Sequence, residues 1–331
     1  MAYKKVLSID GGGVRGIIPA MVLKEIEERT SKPICRLFDL IAGTSTGGIL
    51  GLGLTVPEQK GSNSPKYGAE QLLQLYRKHG AEIFPERRLP WLQLGRRLLR
   101  PKHSPEGLER VLKEYFEDYR MGDAIQDVMV SGYNTAAETS WFFKSFRVVD
   151  KPERNYLMRE VARATSAAPT VLPPAKVISP NPELPQYHPI VDGGVFANNP
   201  AMCAYVEALT LYPGLRREDV LLVSLSTGES SPEIKYDKAK RWGLVSWGSR
   251  ILGVVFDGVS DSVDYQLKCL LRPFKTYYRL SPRFGGSKSR LDDASERNLN
   301  WLLEKGQDLV TSQRSVIDSI CEALVEGSDS E

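Results

Sequence analysis

The stretch "LSIDGGGVRG", residues 7–16, decides how the chain begins to fold. Gly11, Gly13 and Gly16 fit G-x-G-x-x-G, the dinucleotide fingerprint. The run "YKKVLSI" before it reads as a short buried strand. The residues after it, about 16–29, carry Ile17, Met21, Val22 and Ile26 at near-helical spacing. A strand, a glycine turn and a helix make a ready anion site, because the turn and the helix N-terminus aim backbone N–H groups at negative charge. The pattern alone does not say whether that anion is a pyrophosphate or something else.

Outward from this unit the alternation repeats. "LFDLIAG" predicts a second strand and "TGGILGLGLTV" a helix packed on it. Residues 57–67 are a polar loop. Helices are expected from Ala69 to Lys78 and from Pro105 to Tyr119, and "DVMVSGYNT" and "WFFKSFRVV" look like paired strands. "YLMREVARATSAA" reads as a helix and "PIVDGG" as a strand end. "NNPAMCAYVEALTLY" opens a helix with Asn at the cap and Pro just inside it. "VLLVSLSTG" is another buried strand, and Ser295 to Val325 is mostly helical. Strands alternating with helices imply a three-layer α/β/α fold around a mainly parallel sheet, with a C-terminal helical extension.

Bulk properties narrow the class. The 331 residues carry a net charge of +3, too little to imply a nucleic-acid partner. Cys35, Cys203, Cys269 and Cys321 are scattered, with no C-x-x-C pair, so no zinc site, redox pair or other metal cluster is expected. Together with an N-terminus lacking an apolar leader pattern, this fits a cytoplasmic protein. The uncharged run from Leu40 to Val56 is short for a membrane span and is broken by Gly, Ser and Thr. A buried strand, turn and helix account for it better.

"GTSTG", residues 43–47, fits G-x-S-x-G, with a strand before Ser45 and a helix after it. The sharp turn would expose the Ser45 hydroxyl, with Gly43 and Gly47 leaving room for close packing. An ordinary glycine turn whose Ser caps a helix has the same pattern. A serine nucleophile needs a base. The three histidines serve poorly: His79 and His103 sit in polar or basic stretches and are expected to be solvated. His188 lies four residues before Asp192 and is a candidate lining residue. Asp192, in "HPIVDGGVFANNP", is delivered by a hydrophobic strand into the Gly193–Gly194 turn, at the sheet edge where α/β folds bind ligands. Asp at such a place is also a common turn former.

"DGGGVRG", "GTSTG" and "DGG", in this order on strand ends, resemble the patatin-like phospholipase family. The resemblance spans about residues 6–203, taken as the catalytic core, with 204–325 continuing the same domain and 326–331 a disordered tail. It implies a Ser–Asp dyad hydrolase that uses no histidine and needs no cofactor. Ser45 would be the nucleophile and Asp192 the general base. Gly11, Gly12 and Gly13, with Arg15 holding the loop or adding positive potential, would form the oxyanion hole, Gly12 and Gly13 matching the family's most direct donors. Asp10, Gly16, Gly43, Gly47, Gly193 and Gly194 complete the motifs. "ATSAAPTVLPP", residues 164–174, also resembles the family's block before the aspartate. The third motif is DGG rather than DGA, and the family uses both. A dinucleotide site would need an acid just after the second strand. Asp39 lies within or before that strand, and "GTSTG" occupies the slot instead.

The implied substrate is a membrane lipid or another acyl ester. Two other readings stay open: a soluble serine esterase, thioesterase or acyltransferase, and a non-catalytic lipid-binding or storage protein of the same fold. Two segments are candidates for peripheral membrane contact. Residues 87–103, "RRLPWLQLGRRLLRPKH", interleave six cations with Trp and Leu. Residues 241–259 are strongly apolar and could wall an acyl pocket, cover the site as a lid, or form core helix.

Overall fold

The computed structural model describes residues 3–85, 100–183, 185–228, 234–248, 250–282, 284 and 290–326. Most of the basic segment 87–103 and nearly all of the expected tail 326–331 lie outside the described residues. One sheet runs through the molecule. Its strands are β1 (Lys4–Ile9), β2 (Leu40–Gly43), β3 (Asp127–Asn134), β4 (Thr139–Lys144), β5 (Ala175–Ile178), β6 (Tyr187–Asp192), β7 (Val220–Leu225) and β8 (Tyr277–Leu280). The pairing path is β5-β6-β3-β2-β1-β7-β8, with β4 also on β3. The core pairings β3-β2-β1-β7-β8 are all parallel, and β4 and β6 join β3 antiparallel.

The two-residue period of each strand sorts its side chains into two cores. Leu7 and Ile9 of β1, Ile41 of β2, Val128 and Val130 of β3, and Leu221 and Val223 of β7 face one side. There they meet helices α1 (Ile17–Thr30), α2 (Thr46–Thr55), α3 (Ala69–Ile83), α4 (Glu106–Phe116) and α5 (Met158–Thr165). Val6, Leu40, Met129, Val220 and Leu222 face the other side, against α6 (Ala201–Leu211) and the C-terminal half of α7 (Ile251–Leu271). Helices α8 (Glu296–Ser312) and α9 (Arg314–Val325) pack on α1. The three layers follow from a sheet apolar on both faces.

Local boundaries differ from the sequence reading in small ways. In "LFDLIAG" only Leu40–Gly43 is strand, and Leu37 ends a short helix that begins at Ile34. "WFFKSFRVV" leaves the sheet after Lys144. At α6 the Asn199 side chain takes the Ala201 N–H at 3.0 Å, and Pro200 stands just before the first helical residue rather than inside it. The uncharged run 40–56 is a buried strand, turn and helix.

One register detail positions the site. Val130 pairs with Gly43 on one side and Phe143 on the other, while Gly132 pairs with Asp192 on one side and Trp141 on the other. Strand β4 therefore covers one edge of β3 from Met129 to Asn134. Strands β2 and β6 share the opposite edge, β6 taking over where β2 stops. The end of β6 is thus brought within two strand positions, roughly 7 Å, of the end of β2.

Candidate active site

Ser45 follows the end of β2 and precedes α2. Its backbone sits at φ 54°, ψ −122°, a left-handed conformation that costs a non-glycine residue about 1–3 kcal/mol unless the surroundings enforce it. They do. The Ser45 N–H donates to Thr165 Oγ1 at 2.7 Å, the Gly47 N–H to Thr44 O at 2.8 Å, and the Thr44 hydroxyl to Ala197 O at 2.6 Å. The flanking glycines are required by space. A Cβ on Gly43 would lie 2.2 Å from Gly47 O, and one on Gly47 would lie 2.1 Å from Ile9 O. Gly16 is needed for the same reason in the neighbouring loop, where a Cβ would strike the Thr46 and Tyr76 hydroxyls.

Asp192 ends β6 and is buried. Its Oδ1 accepts the Gly194 N–H at 2.8 Å, and its carboxylate interacts with the Ser45 side chain in the same cleft. Burial pushes the Asp192 carboxyl up to about 7, against the Gly194 amide and the Ser45 hydroxyl, which pull it down. A Cβ on Gly193 would lie 2.2 Å from Ser131 Oγ, so this turn also needs glycine to sit against β3. Ser45, Asp192, Gly12 and Gly13 line one cleft. Its other walls are mostly apolar and include Ile49, Leu75, Ile83, Phe84, Leu108 and Leu172.

The glycine loop divides its labour, Gly11 being bound into the fold while Gly12 and Gly13 line the cleft. The Gly11 N–H donates to Asn198 O at 3.0 Å, and Gly11 O accepts the Thr227 hydroxyl at 2.6 Å. Gly11 is therefore tied into the fold, and its expected place among the oxyanion donors is corrected. Among the described residues no partner takes up the amides of Gly12 and Gly13. Gly13, at φ 58°, turns against Leu291, whose carbonyl receives the Val14 N–H at 2.9 Å. Arg15 holds the loop, one of its two expected roles, rather than lining the hole. It is buried outside the cleft, with Nε 3.4 Å from Gly12 O, so it braces the loop from behind. Burial lowers its guanidinium to about 10 against the pull of Asp257 and Asp10, which leaves it charged at neutral pH.

The histidines lie apart from this chemistry. His79 pairs with Glu82 at 3.4 Å. His103 is buried rather than solvated, because Nε2 meets Asp292 at 3.0 Å and the ring packs edge-on against Phe84. Burial would raise Asp292, but His103 and Lys102 bond to it and hold its carboxyl well below the usual range. His188 rests on the Trp141 ring, 4.8 Å between centroids, and does not line the cleft. Asp39 precedes β2 and takes the Lys5 N–H and the Lys4 ammonium. It stands at the opposite end of the sheet from the glycine loop, which removes the dinucleotide reading.

The patatin-like phospholipase profile matches residues 7–205. The chain belongs to that family. Patatin-like protein 2 of Oryza sativa subsp. indica is 31% identical over 347 residues, covering 95% of this chain and 85% of its own length. A potato (Solanum tuberosum) relative described as probable inactive patatin-3-Kuras 1 is 30% identical, covering 92% and 86%. The solved structure of VipD from Legionella pneumophila is a looser likeness, with a TM-score of 0.42, 15% identity, 96% of this chain and 67% of that one. The family's lipid acyl hydrolase character thus attaches to the fold, while membership alone does not make a chain active. Phe256 comes from the apolar stretch 241–259, one of whose expected roles was to wall an acyl pocket. Asn198, Thr165, Thr227 and Leu291, which shape or line the site, were not singled out in the sequence reading, although Thr165 lies in the 164–174 block and Asn198 beside the DGG motif.

Proposed function

We propose that this chain is a lipid acyl hydrolase that cleaves carboxylic ester bonds of phospholipids or other membrane glycerolipids. An ester carbonyl enters between the glycine loop and Ser45. Asp192 takes the hydroxyl proton as the Ser45 oxygen attacks, and the amides of Gly12 and Gly13 receive the oxyanion. Asp192 then gives its proton to the departing alcohol. Water, deprotonated by the same carboxylate, cleaves the acyl–Ser45 ester and releases the fatty acid. A carboxylate at its ordinary pKa of about 3.9 is a poor base for an alcohol, and one near 7 is matched to neutral pH.

The observation that carries this reading is that Ser45 and Asp192 meet in one apolar cleft, where the Ser45 hydroxyl pulls against the raised Asp192 carboxyl. The apolar walls suit an acyl chain and offer little to a polar leaving group. The test is lipid profiling after incubation with a mixed membrane extract, with Ser45→Ala as control. Free fatty acid and lyso-lipid should appear only with the intact serine. A chain that neither releases fatty acid nor takes an active-site phosphonate at Ser45 would be a binding or storage protein. Products bearing an added alcohol acceptor would make it an acyltransferase.

A further inference from the structure

The segment leading into α7 has no role in the chemistry above. Residues 235–250 carry five cations, Lys235, Lys238, Lys240, Arg241 and Arg250, and one acid, Asp237. That is a net +4 within 16 residues, against +3 for the whole chain. The same segment bears Tyr236, 78% exposed, and Trp247, 36% exposed, and Ile251 follows at 43%. The Arg250 guanidinium lies over the Trp242 ring at 4.5 Å, and that ring meets Trp247 edge-on at 5.4 Å. Further along α7, Phe256 is buried and lines the cleft, its ring 3.1 Å from where a Cβ on Gly194 would stand.

We propose that residues 235–248 and 250–255 are the surface by which this protein docks on anionic phospholipid bilayers, with α7 carrying the contact to the catalytic cleft. This rests on the reading of the cleft as a lipid hydrolase site. Cations interleaved with exposed aromatic and aliphatic side chains are what an anionic headgroup layer attracts and its acyl boundary accepts. No helix among the described residues is long and apolar enough to cross a membrane, so the contact is made from one side. Continuity through Phe256 gives the surface a purpose. An acyl chain leaving the bilayer beneath Trp247 and Ile251 passes along apolar side chains of one helix into the cleft, without crossing water.

The experiment is flotation of the Ser45→Ala protein with vesicles, so that binding is read without turnover. Vesicles of phosphatidylglycerol and phosphatidylcholine should carry the protein up, and phosphatidylcholine alone should carry far less. Each cation near an anionic surface contributes about fivefold to partitioning, so Lys238→Glu/Lys240→Glu/Arg241→Glu should lower it by about 100-fold or more. Trp247→Ala should lower partitioning on the same vesicles by a smaller factor. Placed in the wild-type background, both variants should hydrolyse a soluble short-chain ester at the wild-type rate, which also shows that they fold. Equal flotation with neutral and anionic vesicles, or partitioning unmoved by the charge reversal, would overturn the proposal. A wild-type protein that floats with anionic vesicles yet releases no fatty acid from any lipid would leave the docking surface standing and remove the hydrolase reading.

Discussion

Asp10 and Asp192 look alike in the sequence. Each ends a hydrophobic strand and enters a Gly-Gly turn, and each is buried. Their surroundings differ in one respect that decides their roles. Asp10 faces a polar cavity shared with Asp257, Asp261 and Asp264, and Arg279 of β8 grips both of its oxygens, at 2.9 and 2.5 Å. Asp192 faces the apolar cleft, where one backbone amide is its hydrogen-bond partner and a serine hydroxyl interacts with it. Burial raises both carboxyls. At Asp10 a full positive charge opposes it, and at Asp192 only neutral donors do. A guanidinium consumes a carboxylate's basicity in holding the fold, and a hydroxyl leaves it available.

The sharpest way to break this contrast is the same amide substitution at both sites. Asp192→Asn should lower ester turnover by about 10⁴-fold, as should Ser45→Ala, because each removes a partner that acts only within the pair. Asp10→Asn leaves both partners in place and should retain measurable turnover. In stability the two should move in opposite directions. Removing the acid from Asp10 strands the Arg279 guanidinium in the interior, a loss of about 3–5 kcal/mol in urea unfolding. Asp192 behaves in the reverse sense. Its folded pKa is raised, so between about pH 4 and pH 7 the native state holds a proton that the unfolded chain has released, and stability falls as pH rises through that window. Asp192→Asn removes this titration. Its stability relative to wild type should climb from pH 4 to 7 and level off above. Parallel losses for the two variants would erase the distinction.

The next effect is kinetic. With Asp192 as base, kcat/KM on a soluble ester should rise about tenfold per pH unit below about 7 and flatten above it, so that the rate at pH 5 is about 100-fold below its plateau. An acidic limb centred near 4, where an ordinary carboxylate titrates, would show that the cleft does not desolvate this acid as its burial implies.

The contrast also marks how far the sequence could be read. The nucleophile turn and the acid were legible because each is local: a strand pattern, a short glycine motif and one functional side chain. Even the pairing of β3 with β4 showed in adjacent hydrophobic runs. What escaped was long-range. Nothing around Asp10 announces that Arg279 will meet it. Nothing in "GGG" says that Asn198 O will take the first amide and leave the next two. The basic and prolyl neighbours of His103 predict a solvated ring, and the Asp292 that buries it lies 189 residues away. Alternation and turn chemistry report which way a side chain faces, while the identity of what it meets is set by topology.

That buried cluster supplies the finest test of how the loop is held. Asp292 is bound by His103 and Lys102, and the residue before it, Leu291, presents the carbonyl that takes the Val14 N–H and abuts Gly13. Asp292 touches no reacting atom, so it is a positioning residue. Asp292→Asn should loosen the strap and let the Gly12 and Gly13 amides drift from the oxyanion. Loss of one such donor outright costs about 10²–10³-fold, so partial misplacement should lower kcat by about tenfold. KM should change little, because the acyl walls stay in place. Phosphonate labelling of Ser45 should slow in proportion, since that reaction uses the same amides. His188→Gln, on a ring stacked against Trp141 and outside the cleft, should leave kcat within about twofold. A rise in KM with kcat unchanged in Asp292→Asn would place the strap among the acyl-binding walls instead, and leave the glycine loop to be held by Arg15, Thr227 and Asn198.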